Sequence, residues 1–149
     1  MGCCASKPGA GDAQSNPMSE PASPLSDRLR SRSFAILLEA VKEIVEKAYI
    51  RSAGYKAFIA LIIGDGTLLE VVKTLVGAQD DRLRKQCCYA LFCIANYGSD
   101  VGGQAACVAA GAPAAIVSAL HATEDGSDYG VMKEGSYALW NIAANKGQS

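Results

Sequence analysis

From residue 28 onward, apolar and polar positions follow one another with the period of a helix. In "RLRSRSFAILLEAVKEIVEKA" (28–48), Ile36, Leu37, Ala40, Val41, Ile44, Val45 and Ala48 recur at three- and four-residue steps. Glu39, Lys42, Glu43, Glu46 and Lys47 take the opposite side. That spacing predicts a helix over 28–48 with one face laid against other elements. Beyond residue 52 further helical segments follow, separated by breaks rich in Gly and Asp: "GDGT" at 64–67, "GAQDD" at 77–81, "NYGSDVGG" at 96–103, "AAGAP" at 109–113 and "HATEDGSDYG" at 121–130. No stretch shows the strict alternation of a half-buried strand, so the pattern predicts an all-α protein.

The segments repeat. "YALFCIAN" at 89–96 returns as "YALWNIAA" at 137–144, and "GTLLEVVKTL" at 66–75 returns as "GAPAAIVSAL" at 111–120. Each unit reads as a short helix, a turn containing Gly, a second helix and a long third helix. Two successive units of about 45 residues, near 52–98 and 99–147, predict an α-solenoid in which each repeat buries its face on the next. Helix 28–48 is placed as the N-terminal cap. The second unit closes on a third helix, which leaves that face uncapped. The expectation is continuation into a longer array, or docking of a partner or a second copy there.

Within residues 81–97, Leu83, Cys87, Ala90, Leu91 and Ile94 form one apolar stripe, assigned to the core, and Arg82, Gln86, Tyr89 and Cys93 form another. In the next unit Val131, Gly135, Ala138, Leu139 and Ile142 match the core stripe, while Glu134, Tyr137 and Asn141 match the second. Phe92 and Trp140, on the flank that meets a neighbouring repeat, are assigned to the core.

These units resemble armadillo repeats over roughly residues 50–147. The second carries Gly111, Pro113, Ile116, Val117 and Leu120, then Tyr137, Ala138, Leu139, Asn141, Ile142 and Ala143. The first carries Gly66, Leu69, Val72 and Leu75, then Tyr89, Ala90, Leu91, Ile94 and Ala95. The resemblance implies an armadillo-type right-handed α-solenoid whose second stripe (Arg82, Gln86, Tyr89, Cys93, Glu134, Tyr137, Asn141) lines a concave groove for a protein partner. In the family a Trp and an Asn four residues apart hold extended peptides there. Here Tyr89 and Tyr137 stand where the Trp would be, Cys93 replaces the first Asn, and only Asn141 is retained. That departs from the receptor type that reads basic peptides and leaves an extended or helical segment as the expected occupant. The alternative is that Tyr137 and Asn141 are surface residues that merely finish a helix.

Composition narrows the classes. The formal net charge is −1 with half the residues hydrophobic, so no overall charge drives the chain toward nucleic acid. Apolar runs such as "AFIALIIG" (57–64) fall far short of the roughly 20 residues that cross a bilayer. No apolar h-region opens the chain, which points to a cytosolic body with reduced thiols. Among the six cysteines, Cys87 and Cys88 are adjacent, no C-x-x-C pair occurs, and His121 is the only histidine. These spacings carry no metal site; Cys87, Cys88, Cys93 and Cys107 read as small buried thiols. "GDG" at 64–66 lacks the Lys and Ser/Thr of a phosphate loop, and His121 has no evident Cys or Ser partner. Asp80, Asp81, Glu124 and Asp125 sit where helix caps need them. The reading is a non-enzyme with no cofactor and no small-molecule substrate.

The N-terminus "MGCCASK" (1–7) is the most specific feature. Gly2 and Ser6 fit the pattern M-G-x-x-x-[ST] for myristoylation once Met1 is removed. Cys3 and Cys4 are placed as palmitate acceptors, since one myristoyl chain holds only marginally and a second anchors stably. Residues 8–27, rich in Pro, Gly, Ala and Ser, read as a disordered tether reaching at most about 70 Å. Arg28, Arg30 and Arg32 form a small basic group suited to an anionic leaflet. Ser31 and Ser33 stand behind arginines, as basic-directed kinases require, and phosphate there would oppose the membrane contact.

An acylated start on armadillo-like repeats is similar to the yeast vacuolar armadillo type and to the apicomplexan armadillo-repeats-only type. That resemblance implies a lipid-anchored scaffold on the cytosolic face of a membrane: a vacuole-like or secretory organelle, or the plasma membrane. Organelle positioning, inheritance or trafficking is the implied process. The alternative is a small lipidated regulatory subunit that recruits a signalling enzyme to the plasma membrane.

Overall fold

The structure, a computed structural model, describes residues 24–123 and 129–144. A short α1 (Leu25–Arg28) leads to α2 (Phe34–Ala48). Two three-helix units follow. The first is α3 (Tyr55–Gly64), α4 (Thr67–Gly77) and α5 (Asp81–Tyr97). After a 3-10 turn at Ser99–Val101, the second is α6 (Gly103–Ala109), α7 (Ala112–Ala122) and α8 (Tyr129–Ala143). Among the described residues there is no strand and no single helix long and apolar enough to cross a membrane.

The repeats stack layer on layer. Third helices α2, α5 and α8 lie side by side, α4 packs on α7, and α3 packs on α6. Core contacts come from equivalent positions: Val71 and Ile116 on second helices, Leu91, Ile94 and Ile142 on third helices, all buried. Of the apolar stripe read from the sequence, Leu83, Cys87, Ala90, Leu91 and Ile94 are buried in α5, as are Val131, Gly135, Ala138 and Ile142 in α8, with Leu139 partly so.

Local chemistry sets the joints. Gly66 (φ 88) and Gly111 (φ 85) open α4 and α7 in the left-handed region, which a side chain disfavours. Asp80 caps α5, its Oδ1 accepting from the Arg82 N–H at 2.7 Å. Gly103 lets the start of α6 press on the end of α5, where a Cβ would sit 2.0 Å from the Ile94 carbonyl oxygen. The four described cysteines are buried and unpaired, filling gaps between helices.

The continuous helix predicted over 28–48 is two helices with a break. Ser31 Oγ accepts from the Ser33 N–H at 3.0 Å, and Ser33, with extended backbone, accepts from the Ile36 N–H at 3.3 Å as the cap of α2. The break lets Leu29 turn into the core, where its carbonyl accepts from Thr74 Oγ1 at 3.5 Å. α1 also places residues 25–27, read as tether, in helix.

Candidate functional site: the face of the third helices

Of the seven residues assigned to the groove, four lie on α5 and three on α8, the adjacent third helices. Arg82 is exposed and already engaged. Its Nε and Nη2 donate to Asp80 at 3.2 and 3.0 Å, and its guanidinium lies 4.9 Å from the Phe34 ring centroid. The Arg82 hydrogen bonds hold the Asp80 carboxyl below the usual carboxylate range. Gln86 joins Leu38, Lys42, Arg82 and Lys85 around a cleft of about 180 Å³ between α2 and α5. Tyr89 lines a second cleft with Val45, Glu46, Tyr49 and Ser52.

Between these clefts and α8 runs a band of rings. Tyr49, just past α2, meets Tyr97 edge-on at 5.5 Å, and Tyr97 meets Phe92 at 5.8 Å. Phe92 stacks with Tyr89 at 6.1 Å and reaches Tyr137 of α8 at 6.2 Å. Offset and edge-on rings at these separations attract beyond their area burial. The band gives the face an apolar floor with phenol hydroxyls along it. Partial burial, with Cys93, Tyr49, Glu134 and Tyr97 nearby, pushes the Tyr89 phenol up to about 12. Tyr97 is raised as well, first by burial and then by Cys93 and Tyr49. Both phenols are therefore neutral donors at neutral pH.

Asn141 is held against its own helix: Nδ2 donates to the Tyr137 carbonyl at 2.9 Å. Its backbone carbonyl accepts from Gln104 Nε2 at 2.8 Å, tying α6 to α8. The bond to Tyr137 uses one of the two Nδ2 hydrogens and fixes the orientation of the amide, which keeps its second N–H and Oδ1 for a peptide backbone.

Two assignments change. Cys93 is fully buried, beneath the face rather than open on it. Burial and then the charge of Glu134 push its thiol up to about 12, so it is a packing group. Trp140, assigned to the core, is 74% exposed, because no further helix covers its flank among the described residues. Phe92 is half-buried and serves as hub of the ring band, linking core to face. The sequence reading missed Tyr49, Tyr97 and the central place of Phe92. Aromatics clustered at the ends of α2 and α5 were the available clue, but their contacts are made between helices.

The candidate modification sites divide. Gly2, Cys3 and Cys4 lie outside the described residues. Ser33 is the exposed cap of α2. Arg28 is paired with Glu43 at 2.8 Å, and Arg30 with Asp27 at 2.9 Å and Glu70 at 3.5 Å. Two of the three arginines thus already have anionic partners within the chain. Among the described residues no group of three or more His, Cys, Asp and Glu side chains is placed to hold a metal ion.

No protein-family model matches the sequence, and no curated protein matches it. Solved structures do. A designed armadillo repeat protein in complex with the peptide (KR)4 superposes with a TM-score of 0.65 at 24% identity, over 80% of this chain and 46% of that one. An engineered protein superposes equally well, TM-score 0.65 at 29% identity, over 80% of this chain and 26% of the other. The chain thus spans less than half the length of either. With the stacking of first, second and third helices described above, these matches make the fold an armadillo-type α-solenoid.

Proposed function

We propose that this chain is a lipid-anchored membrane scaffold whose third-helix face holds a protein partner at a cytosolic membrane surface. The observation that carries the reading is one chain joining the acylation pattern of Gly2, Cys3 and Cys4 to a face floored by Tyr89, Phe92, Tyr97 and Tyr137. Two acyl chains are what stable anchoring needs. A ring-lined concave face suits an extended or helical segment, since aromatic side chains supply contact area at low entropic cost. The designed neighbour holds a basic peptide. Here Cys93 offers no amide and Asn141 alone can pair with a partner backbone, through the Nδ2 hydrogen and Oδ1 that its bond to Tyr137 leaves over, so most of the affinity rests on the rings. On this reading the chain works by holding its partner, in organelle positioning, inheritance or trafficking.

The test is fractionation of cells expressing the wild type, Gly2→Ala and Cys3→Ser/Cys4→Ser, with imaging of the membrane reached. Wild type is expected in the membrane fraction, Gly2→Ala in the cytosol, and the cysteine variant bound weakly. Gly2→Ala remaining as membrane-bound as wild type ends the anchoring part of the reading. The groove part is tested separately, by loss of co-purifying protein from a Tyr89→Ala/Tyr137→Ala variant with unchanged fractionation.

A further inference from the structure

Where α1 passes into α2 the chain reads "RLRSRSF" (28–34). Ser33 is the only serine or threonine in the sequence with an arginine both three and five residues before it, Arg30 and Arg28, and the apolar Phe34 follows directly. Protein kinases choose their substrates by charge patterns of this kind. The structure sets Ser33 apart from Ser31. Ser31 is half-buried, and its Oγ accepts from the Ser33 N–H at 3.0 Å, so it is spent on the turn. Ser33 is exposed, and its backbone is extended (φ −80, ψ 121). Arg28 and Arg30 are tied to Glu43, Asp27 and Glu70, so α1 must lift before a kinase can read them. That helix has only four residues, and a short terminal element of this kind opens locally.

The same joint can hold a phosphate once it is made. Arg32 is exposed and has no carboxylate partner among the described residues. Arg30 has partners, but its contacts with Asp27 at 2.9 Å and Glu70 at 3.5 Å are made by a side chain 60% exposed. Ion pairs so open to water contribute little, and Glu70 keeps Lys73 at 3.8 Å if Arg30 turns away. The first turn of α2 carries no acidic residue to repel a phosphate. The Ile36 N–H that now donates to Ser33 Oγ at 3.3 Å would pass to a phosphate oxygen. We infer that Ser33 is a phosphoryl-acceptor site for a basic-directed protein kinase, and that Arg30, Arg32 and the first turn of α2 hold the resulting phosphoserine. The kinase brings a nucleoside triphosphate. Ser33 Oγ bonds to the γ-phosphorus as the bond from that phosphorus to the bridging oxygen breaks. The hydroxyl proton passes to the kinase's base and the nucleoside diphosphate leaves. Charge-assisted hydrogen bonds to arginine and to a helix start are what a phosphoserine gains in such a setting. Neither step needs the chain to be acylated.

The experiment treats the purified full chain with the catalytic subunit of a basic-directed kinase and Mg-ATP. A peptide of residues 26–37, labelled by the same kinase, is the control. Mass spectrometry is expected to place a single phosphate on Ser33. Ser33→Ala should abolish it and Ser31→Ala should leave it. Arg30→Gln should slow labelling about ten-fold, and Glu43→Gln, which frees Arg28, should speed it. Phosphorus NMR then reads how the phosphate is held. Its second ionisation is expected at lower pH in the folded chain than in the peptide, since arginine and the helix start favour the dianion. That difference should shrink in Arg32→Gln. A folded chain left unlabelled at Ser33 while the peptide is labelled there overturns the inference, as does phosphate placed on Ser31 instead. A phosphoserine that titrates in the folded chain as it does in the peptide overturns the holding role of Arg30 and Arg32, and with it the site as described.

Discussion

The ring of Phe92 on α5 stands 6.2 Å from that of Tyr137 on α8, tilted by 43°. It is a ring contact that ties the partly buried floor of the first repeat to the exposed face of the second. Phe92 also meets Tyr89 and Tyr97, so one half-buried side chain supports every ring of α5 in the band and bridges to the next repeat. Phe92→Ala is expected to cost about 2 kcal/mol, less than a fully buried phenylalanine would. It should weaken partner capture while leaving membrane association unchanged. Urea denaturation gives the first quantity, and co-purification from the membrane fraction gives the second.

Gly103 and Gly77 make a contrasting pair. At Gly103 a Cβ would meet the Ile94 carbonyl oxygen at 2.0 Å and the Gly98 carbonyl oxygen at 2.9 Å; at Gly77 it would meet nothing within 4 Å. Backbone cannot step aside as a flexible side chain can. Gly103→Ala is expected to destabilise by about 3 kcal/mol through forced separation of α5 and α6. Gly77→Ala, at the end of α4, is expected to be neutral or to gain about 0.5 kcal/mol from reduced freedom of the unfolded chain. Thermal unfolding of the two variants side by side decides the matter. Equal midpoints would show that the close approach of α6 to α5 does not govern stability.

How far these features were legible beforehand depends on the physics behind each. The stripe Leu83, Cys87, Leu91 and Ile94 could be read because burial follows helical period, and the repeat confirmed it a second time in Val131, Ala138 and Ile142. The break before α2 was not legible in hydrophobicity, because it is made by two serine hydroxyls satisfying N–H groups of Ser33 and Ile36. Trp140 was misplaced because periodicity names a flank without saying whether anything lies on it. Cys93 was misplaced because a small thiol suits either a face or the layer beneath it, and only the packed position of α8 decides. The ring band was illegible for a related reason: Tyr49 and Tyr97 are far apart in the chain and meet only when α2 and α5 lie side by side.

Acid should weaken the anchorage of α1. Partial burial pushes the Glu43 carboxyl up, but hydrogen bonds and charges from Lys47 and Arg28 together outweigh it and hold the carboxyl below its ordinary value. A carboxyl depressed in the folded chain favours folding above its unfolded pKa, and that contribution is lost as pH falls through the folded one. The urea midpoint is therefore expected to drop on acidification below about pH 4.5, and Glu43→Gln to flatten that part of the profile. Because the pair is partly open to water, added salt should also shrink the difference between the two proteins. A variant with the same acid limb as wild type would remove Glu43 from the account.

Thiol chemistry should separate the body of the chain from its N-terminus. Cys87, Cys88, Cys93 and Cys107 are buried, and burial first of all pushes the thiols of Cys88, Cys93 and Cys107 up to about 12, with Cys87 raised further. A thiol reagent attacks the thiolate, so in the native chain at about pH 8 these four should resist labelling and react only on unfolding. Cys3 and Cys4, the proposed palmitate acceptors, should then account for the native labelling that appears when protein from eukaryotic cells is treated with hydroxylamine, which cleaves thioesters. Peptide mapping by mass spectrometry assigns each label to its cysteine. Native labelling of Cys93 would place it on the open face after all. Hydroxylamine treatment that leaves the labelling of Cys3 and Cys4 unchanged would mean that neither carries a thioester, and stable anchoring would then need something other than a second acyl chain.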